Sequence, residues 1–247
     1  MTIRDFFTVH PRAAIAFSGG VDSTFLLYAA KEAGADAAAI YVRSQFQPAF
    51  EYEDAVKMAE RIGVQMRVIG VDALADERVR ANPADRCYFC KINIMGAIRR
   101  AAAEDGYNLI CDGTNASDDV SDRPGFKALQ EFGIRSPLRE CGLTKARIRE
   151  LAKKAGLSVW NKPSYACLAT RIPAGEVITE DKLRTTEAAE TALFGMGFRD
   201  FRVRMRGGAA LVQVTAAQHK EAVIREKEIE AAIGRLYTSV TIDDHTR

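Results

Sequence analysis

The sequence predicts an α/β fold, a parallel sheet with helices on both faces, followed by a small α+β unit. Three observations predict it. Short apolar runs alternate with helical periodicity as far as Gly156, the rhythm of a βαβα chain. The first junction carries a glycine-rich polar loop where a strand gives way to a helix. Past Gly175 the composition changes, and short strands stand between two helices.

The elements follow in order. Ala13-Ala14-Ile15-Ala16-Phe17 is the first strand, Ser18-Gly19-Gly20-Val21-Asp22-Ser23 the tight loop, and Thr24-Phe25-Leu26-Leu27-Tyr28-Ala29-Ala30 the opening of the first helix. Residues 37–42 read as a strand, 51–62 as a helix, 65–71 as a strand and 91–104 as a helix, before the strand Tyr107-Asn108-Leu109-Ile110-Cys111. Helical periodicity resumes over 144–155, with Thr144 as the expected N-cap and Gly156 as the stop. Beyond Gly175, residues 179–195 read as an amphipathic helix, 201–205 and 209–215 as strands, 217–233 as a charged helix and 236–242 as a last strand. The expected domains are 1–175 and 176–247.

A chain of 247 residues buries a sizeable core, as one large α/β domain or as one of ordinary size with a smaller companion. Its 35 Lys and Arg nearly cancel 33 Asp and Glu, so neither a nucleic-acid nor a membrane partner is expected. No secretory apolar segment follows Met1, and no run approaches the ~18 residues of a membrane span, which predicts a cytoplasmic protein. Cys87, Cys90, Cys111, Cys141 and Cys167 then read as reduced thiols, ligands or catalysts rather than as a disulfide framework.

The loop at 18–23 is an anion cradle. Glycines let backbone N–H groups approach phosphate oxygens, and Asp22, Ser23 and Thr24 supply oxygens at the positive end of a helix. A polyphosphate is the expected guest, although neither the Walker pattern nor the dinucleotide fingerprint is present here, and an ordinary Gly-rich turn is the bland alternative. In such sheets ligand loops gather at the strands' carboxyl ends. Two more fall there: the stretch after Val42, with Ser44, and Asp112-Gly113-Thr114-Asn115-Ala116-Ser117-Asp118-Asp119, which also suits a plain turn and helix cap. Arg202, Arg204 and Arg206 alternate with Phe201, Val203 and Met205 and share one strand face, suited to solvent or to a phosphate-bearing ligand.

The cysteines separate into kinds. Cys111 ends a strand and Cys141 lies in a connection, both as packing residues. Cys87-Tyr88-Phe89-Cys90 puts two sulfurs within reach of one metal or cluster, with Lys91 favouring thiolates. A structural zinc needs two further ligands, and His10, His219 and His245 have no ligand-like spacing. Cys167 is the candidate third ligand of a cubane cluster with one open iron.

The S-G-G-x-D-S loop resembles that of the PP-loop ATP pyrophosphatases, which grips the pyrophosphate of ATP and whose aspartate, here Asp22, helps hold Mg²⁺. The fold this implies is Rossmann-like. Five further segments sharpen the likeness: Arg86-Cys87-Tyr88-Phe89-Cys90-Lys91, Asp112-Gly113-Thr114-Asn115, Arg123-Pro124-Gly125-Phe126-Lys127-Ala128, Ser136-Pro137-Leu138, and the run from Lys162 to Gly175 around Cys167. In this order they resemble the LarE family, ATP-dependent sulfur transferases that help make the nickel-pincer nucleotide cofactor of lactate racemase.

The resemblance implies a two-stage reaction. ATP adenylylates a carboxylate of a nicotinate-derived pyridinium mononucleotide and releases pyrophosphate; a sulfur nucleophile then displaces AMP. In one form of the family a single cysteine, matched by Cys167, gives up its own sulfur and becomes dehydroalanine. In another, three cysteines, matched by Cys87, Cys90 and Cys167, carry a [4Fe-4S] cluster whose open iron binds the sulfide, and that form is the expectation here. ATP is expected at Ser18, Gly19, Gly20, Val21, Asp22, Ser23, Ser44, Gly113 and Thr114, with catalysis at Cys167 and Asp22. The resemblance places Thr170, Arg171, Glu190 and Arg202 at the substrate's phosphate, and residues 176–247 contribute to that site or to oligomerisation. Expected partners are the nucleotide substrate, further copies of the chain, a sulfide source and other proteins of the cofactor pathway. Thr170, Ala174 and Leu211-Val212-Gln213 depart from the family's frequent Ser, Tyr and Arg-Ile-Glu, which bears on the substrate. A tRNA thiolase, a PP-loop amidotransferase such as NAD synthetase, and a non-catalytic nucleotide binder are the competing readings. The first calls for a basic surface, the second leaves the three cysteines without a role, and the third leaves Asp22 and Ser23 without one.

Overall fold

A computed structural model describes residues 1–119 and 124–247, so Arg123 of the resemblance lies outside the described residues. In the first half the elements are α1 (Ile3–Val9), β1 (Arg12–Phe17), α2 (Val21–Glu32), β2 (Asp36–Arg43), α3 (Ala49–Ile62), β3 (Met66–Gly70), α4 (Glu77–Arg80), α5 (Arg86–Glu104) and β4 (Ile110–Cys111). There follow α6 (Pro124–Glu131), α7 (Pro137–Glu140), α8 (Lys145–Lys154), α9 (Glu180–Gly195), β5 (Arg202–Arg206), β6 (Ala209–Gln213), α10 (Ala216–Ile224), α11 (Glu226–Ile233) and β7 (Val240–Ile242). Contacts divide the chain into two compact units, 1–73 with 85–162, and 74–84 with 163–247. Among the described residues, no helix is long and apolar enough to cross a membrane.

The first unit is built on a parallel sheet of order β3-β2-β1-β4. Alternation along β1 divides its side chains between two layers. Ala13, Ile15 and Phe17 enter a core with Phe25, Leu26, Met58 and Ile148, from α2, α3 and α8. Ala14 enters the opposite core with Ile40, Met95, Ile98 and Leu129, from β2, α5 and α6. Helices therefore cover both faces, as expected. After β1 the chain turns to β2 on one side, while β4 lies on the other, so the sheet's topological switch point falls at the carboxyl end of β1. The loop at 18–23 leaves from that point.

The second unit has its own sheet, order β5-β6-β7, with β5 and β6 antiparallel and β6 and β7 parallel. Gly207 and Gly208, both at positive φ (52° and 89°), make the two-residue connection between β5 and β6 that such a turn requires. Leu193, Phe198, Phe201, Val203, Val212 and Ile229 form the core. The segment 74–84 joins this unit through Asn82, whose Nδ2 donates to the Pro173 carbonyl at 2.7 Å and whose own carbonyl accepts from Gly175 N at 2.8 Å.

Four elements differ from expectation. Only Ile110 and Cys111 pair as β4, because the ladder shortens to a single Ala14 N bond on the Leu109 carbonyl at 2.9 Å before Tyr107 turns its hydroxyl to Asp36. Helix α5 begins at Arg86 rather than at residue 91, so both cysteines of the C-x-x-C stand on its first turn. The charged helix at 217–233 is two helices that meet at Arg225. The last strand is confined to Val240–Ile242, a 3₁₀ turn occupying Gly234–Leu236.

Candidate functional site

The loop after β1 is shaped by its own serines. Ser18 N donates to Ser23 Oγ at 3.2 Å, Ser23 Oγ donates to the Gly20 carbonyl at 3.3 Å, and Gly20 N donates to Ser18 Oγ at 3.4 Å. The closed turn hands over to α2 at Gly20, its N-cap, so the first N–H groups of α2 point out of the helix end toward any bound anion. Gly19 is at φ +71°, and a Cβ there would lie 2.8 Å from Ala55 Cα, so the loop approaches α3 closer than any side chain permits. Gly113, just beyond β4, would put a Cβ 3.0 Å from Ser23 N. The loop after β1 thus closes on α3 and the end of β4 on the start of α2, a cradle that side chains would fill.

Asp22, the second residue of α2, is the charged group of this cradle. Its Oδ2 accepts from Lys145 Nζ at 2.5 Å and its Oδ1 from Asn115 Nδ2 at 3.4 Å. Burial pushes its carboxyl above the ordinary carboxylate range, against the opposing pull of Lys145. The loop at 112–119 is held rigid beside it: Asp112 accepts from Thr114 N at 3.2 Å and from Ser136 Oγ at 2.7 Å, while Ser117 N donates to Asn115 Oδ1 at 2.8 Å. This set of Asx turns joins the cradle through Gly113 and Asn115. Lys145 is absent from the expected residues, and nothing local in the sequence signals it, since it arrives from 123 positions away; Asn115 and Ser136 were named there only as members of motifs.

Ser44 lies in the turn after β2, where its hydroxyl donates to Gln47 Oε1 at 2.7 Å and accepts from Phe46 N at 3.2 Å. Gln45 ties the same turn to the end of the unit, donating to Asp72 Oδ1 at 2.8 Å and accepting from Ala73 N at 3.0 Å.

Cys87 and Cys90, three residues apart on the first turn of α5, share one helix face. Cys87 is exposed, Cys90 partly so, and Arg86 Nη2 stands 3.6 Å from Cys87 Sγ. This fits two positions of a thiolate donor set. Among the described residues, no three His, Cys, Asp or Glu side chains stand together as a metal-holding group. Cys111 is buried, its thiol pushed up to about 12 by burial and by Asp112, and burial also raises the Cys141 thiol; both behave as packing residues.

In the second unit, Cys167 precedes the 3₁₀ turn Leu168–Arg171. Arg171 is fully buried and pairs bidentately with Glu190, Nε to Oε1 at 2.7 Å and Nη2 to Oε2 at 2.9 Å. Its remaining nitrogen donates to the Ala166 carbonyl at 2.8 Å, and Thr170 Oγ1 donates to the Cys167 carbonyl at 2.8 Å, so the ion pair fixes the backbone that presents the thiol. Glu190 also accepts from Val203 N at 2.9 Å and from Tyr165 Oη. The Tyr165 ring carries two guanidiniums, Arg171 at 4.5 Å and Arg202 at 5.5 Å. Arg202 is buried and donates to the Ser164 carbonyl at 3.2 Å, and burial together with Arg171 lowers its pKa to about 10. Arg204 reaches the Thr170 carbonyl at 3.1 Å. The arginine stripe is therefore graded, buried at Arg202, half-buried at Arg204 and exposed at Arg206.

Comparison with known proteins agrees with this geometry. Residues 12–83, from β1 through α4, match the model of the family described as queuosine biosynthesis protein QueC. The chain is 37% identical over 222 residues to an uncharacterized protein of Synechocystis sp., covering 90% of this chain and 83% of that one. It is 31% identical over 235 residues to the pyridinium-3,5-bisthiocarboxylic acid mononucleotide synthase of Lactiplantibacillus plantarum, covering 94% of this chain and 85% of that one. A tRNA-specific 2-thiouridylase of Clostridium botulinum is 29% identical over 181 residues, 60% of this chain and 51% of the other. With a glycine-rich loop leading into a helix at the switch point of a parallel sheet and likeness along nearly its whole length to a synthase of bisthiocarboxylates, this chain belongs to the LarE family and is a PP-loop, ATP-dependent sulfurtransferase.

Proposed function

We propose that this enzyme activates a carboxylate of a pyridinium mononucleotide with ATP and exchanges the activated oxygen for sulfur. The observation that carries this reading is the presentation of Cys167 on a backbone locked by the buried Arg171–Glu190 pair, beside a guanidinium, Arg202, that among the described residues no carboxylate neutralises by direct contact. The Ser18, Gly19, Gly20, Val21 and Ser23 loop would cradle the β- and γ-phosphates, Gly113 and Thr114 would close the site from β4, and Ser44 would meet the adenosine. Asp22 would hold Mg²⁺, whose charge neutralises the leaving pyrophosphate. The substrate carboxylate attacks the α-phosphorus and the bond to the β-phosphate oxygen breaks, giving an acyl adenylate. Sulfur then adds to the carbonyl carbon and AMP departs with the electron pair.

Thr170 and Arg202 would face the substrate's phosphate, and Arg171 and Glu190 would hold both in place. A [4Fe-4S] cluster on Cys87, Cys90 and Cys167 would supply an open iron for the sulfide that is transferred. The rigid backbone at Cys167 also favours a second reading, in which its own thiolate attacks the acyl adenylate. Loss of its Cα proton and cleavage of its Cβ–S bond would release a thiocarboxylate and leave dehydroalanine. Further copies of the chain and a sulfide source complete the proposed partners. ATP–pyrophosphate exchange measured across pyridinium mononucleotides and other carboxylates tests the first stage. Exchange that depends on a pyridinium carboxylate supports the proposal; exchange stimulated equally by unrelated carboxylates refutes it.

A further inference from the structure

We propose that Gln213 is a specificity-determining residue of this sulfurtransferase: its amide, wedged between Arg204 and Asp243, keeps the carboxylate off the guanidinium and leaves Arg204 to hold an anionic group of the substrate. The inference rests on the reading of Thr170 and Arg202 as the substrate-phosphate site.

Strand pairing makes the wedge. Gln213 on β6 stands opposite Arg202 on β5, so its side chain shares the face of the arginine stripe and reaches diagonally to Arg204. Gln213 Oε1 accepts from Arg204 Nε, and Gln213 Nε2 donates to Asp243 Oδ2 at 2.5 Å. A guanidinium can only donate and an ionised carboxylate can only accept, so the amide has one orientation here, oxygen to the cation and nitrogen to the anion. Asp243 is held in turn by its own N–H on the Val212 carbonyl at 2.9 Å and by His245 N, which donates to Oδ1 at 3.0 Å.

Arg204 therefore keeps its charge without a counter-ion in contact. Besides Gln213 its acceptor is the Thr170 carbonyl, 3.1 Å from Nη1, and among the described residues no carboxylate pairs with Arg204 or with Arg206. Both acceptors are neutral. Burial, with the charges of Arg206, Arg171 and Arg247, lowers the Arg204 pKa, and Asp243 pulls the other way from beyond the amide. The remaining N–H groups of the fork are left for a ligand. Thr170, whose carbonyl Arg204 holds, and Arg202, two residues along the same strand face, are the groups proposed to face the substrate's phosphate, so the anion that suits Arg204 is a phosphate or carboxylate of that same substrate.

The test is calorimetric titration of nicotinate mononucleotide and of nicotinamide mononucleotide into the full chain, Gln213→Glu, Gln213→Met and the double variant Gln213→Glu, Asp243→Asn, with ATP as the control ligand and the thermal midpoint read for each protein. In Gln213→Glu the new carboxylate should pair with Arg204 and weaken nucleotide binding about tenfold or more, with ATP binding unchanged. In the double variant the second substitution supplies an amide that can donate to that carboxylate, so the midpoint should return to the parent's while the affinity stays low, a combination that a merely structural role for Gln213 does not produce. Gln213→Met removes the wedge without adding charge and should weaken binding less than Gln213→Glu. Weakening for both nucleotides places the phosphate at Arg204, and weakening for nicotinate mononucleotide alone places the carboxylate there; either result supports the proposal. Equal affinity of Gln213→Glu and the parent, or equal losses in Gln213→Glu and Gln213→Met, overturns it. A parent that binds ATP but neither nucleotide overturns instead the reading of the substrate site, and the proposal with it. Should Gln213→Glu not fold, the double variant carries the same comparison.

Discussion

Replacing Glu190 with Gln isolates the clamp behind Cys167. One carboxylate, 1% exposed as a residue, accepts two bonds from Arg171, one from Val203 N and one from Tyr165 Oη. The amide keeps a single acceptor oxygen and turns an NH₂ toward groups that are themselves donors, while the guanidinium of Arg171, wholly buried, loses its counter-charge. Removing one partner of a buried ion pair costs about 3–5 kcal/mol. With a urea dependence of about 1–3 kcal/mol per molar, the unfolding midpoint should fall by roughly 1 M or more. Hydrogen exchange should place the loss at Val203 N and along the backbone from Ala166 to Arg171, which depends on the same pair. Because buried pairs are frequently replaceable by apolar side chains, the double variant Arg171→Met, Glu190→Met should recover much of the stability and none of the sulfur transfer, since the Ala166 carbonyl still lacks its donor. A Gln variant with an unchanged urea midpoint would falsify the claim that this pair clamps the Cys167 backbone.

Other expectations follow from the same contacts. Asp22→Asn should abolish pyrophosphate release without lowering the thermal midpoint: burial raises the Asp22 pKa, so ionisation of the native carboxyl costs stability once pH rises through that raised value. The midpoints of parent and variant should coincide below about pH 4 and separate in the variant's favour above it; a variant less stable at pH 7 contradicts this. Arg202→Met should raise KM for the nucleotide substrate about tenfold or more while leaving KM for ATP unchanged, and equal losses would place Arg202 outside the substrate site. Ala at Cys87, Cys90 or Cys167 should each cost iron and sulfur transfer while pyrophosphate release survives, whereas Ala at Cys111 or Cys141 should do neither. An iron-free protein, active once per chain with dehydroalanine at Cys167 and indifferent to Cys87→Ala, would replace the cluster with the sacrificial thiol.

What was legible in the sequence is what adjacent residues decide. The strand, loop and helix from Ala13 to Ala30 carry their signals within one short run, and the cap at Thr144 is a local hydrogen bond accepted from Arg147 N. The Asp22–Lys145 contact was not legible, because it is made by a parallel topology that returns α8 to the carboxyl end of β1. The resemblance placed Arg171 and Glu190 at the substrate's phosphate, but their pairing with each other was not legible, since their burial comes from β5 and α9 closing over them. The placement of 74–84 with the second unit was illegible for the same reason, since Asn82 finds Pro173 and Gly175 only in the folded chain. Five apolar or half-polar residues from Tyr107 to Cys111 looked like a full strand, and only pairing with β1 decides that two of them are.

The two perturbed groups of opposite sign explain why a stable fold keeps such arrangements. Burial disfavours the charged forms of both Asp22 and Arg202, so each makes the empty protein less stable than an apolar or neutral substitute would. Neither cost is compensated fully by the chain: Lys145 opposes but does not reverse the shift at Asp22, and Glu190 is already committed to Arg171 when Arg202 meets it only at a distance. The missing compensation has a definite sign at each place, a cation at Asp22 and an anion at Arg202. On the proposed reading a metal-bound polyphosphate and a phosphate-bearing substrate would supply those signs, so that their binding would relieve the cost of burying each charge, and the burial that disfavours the empty site would favour the filled one.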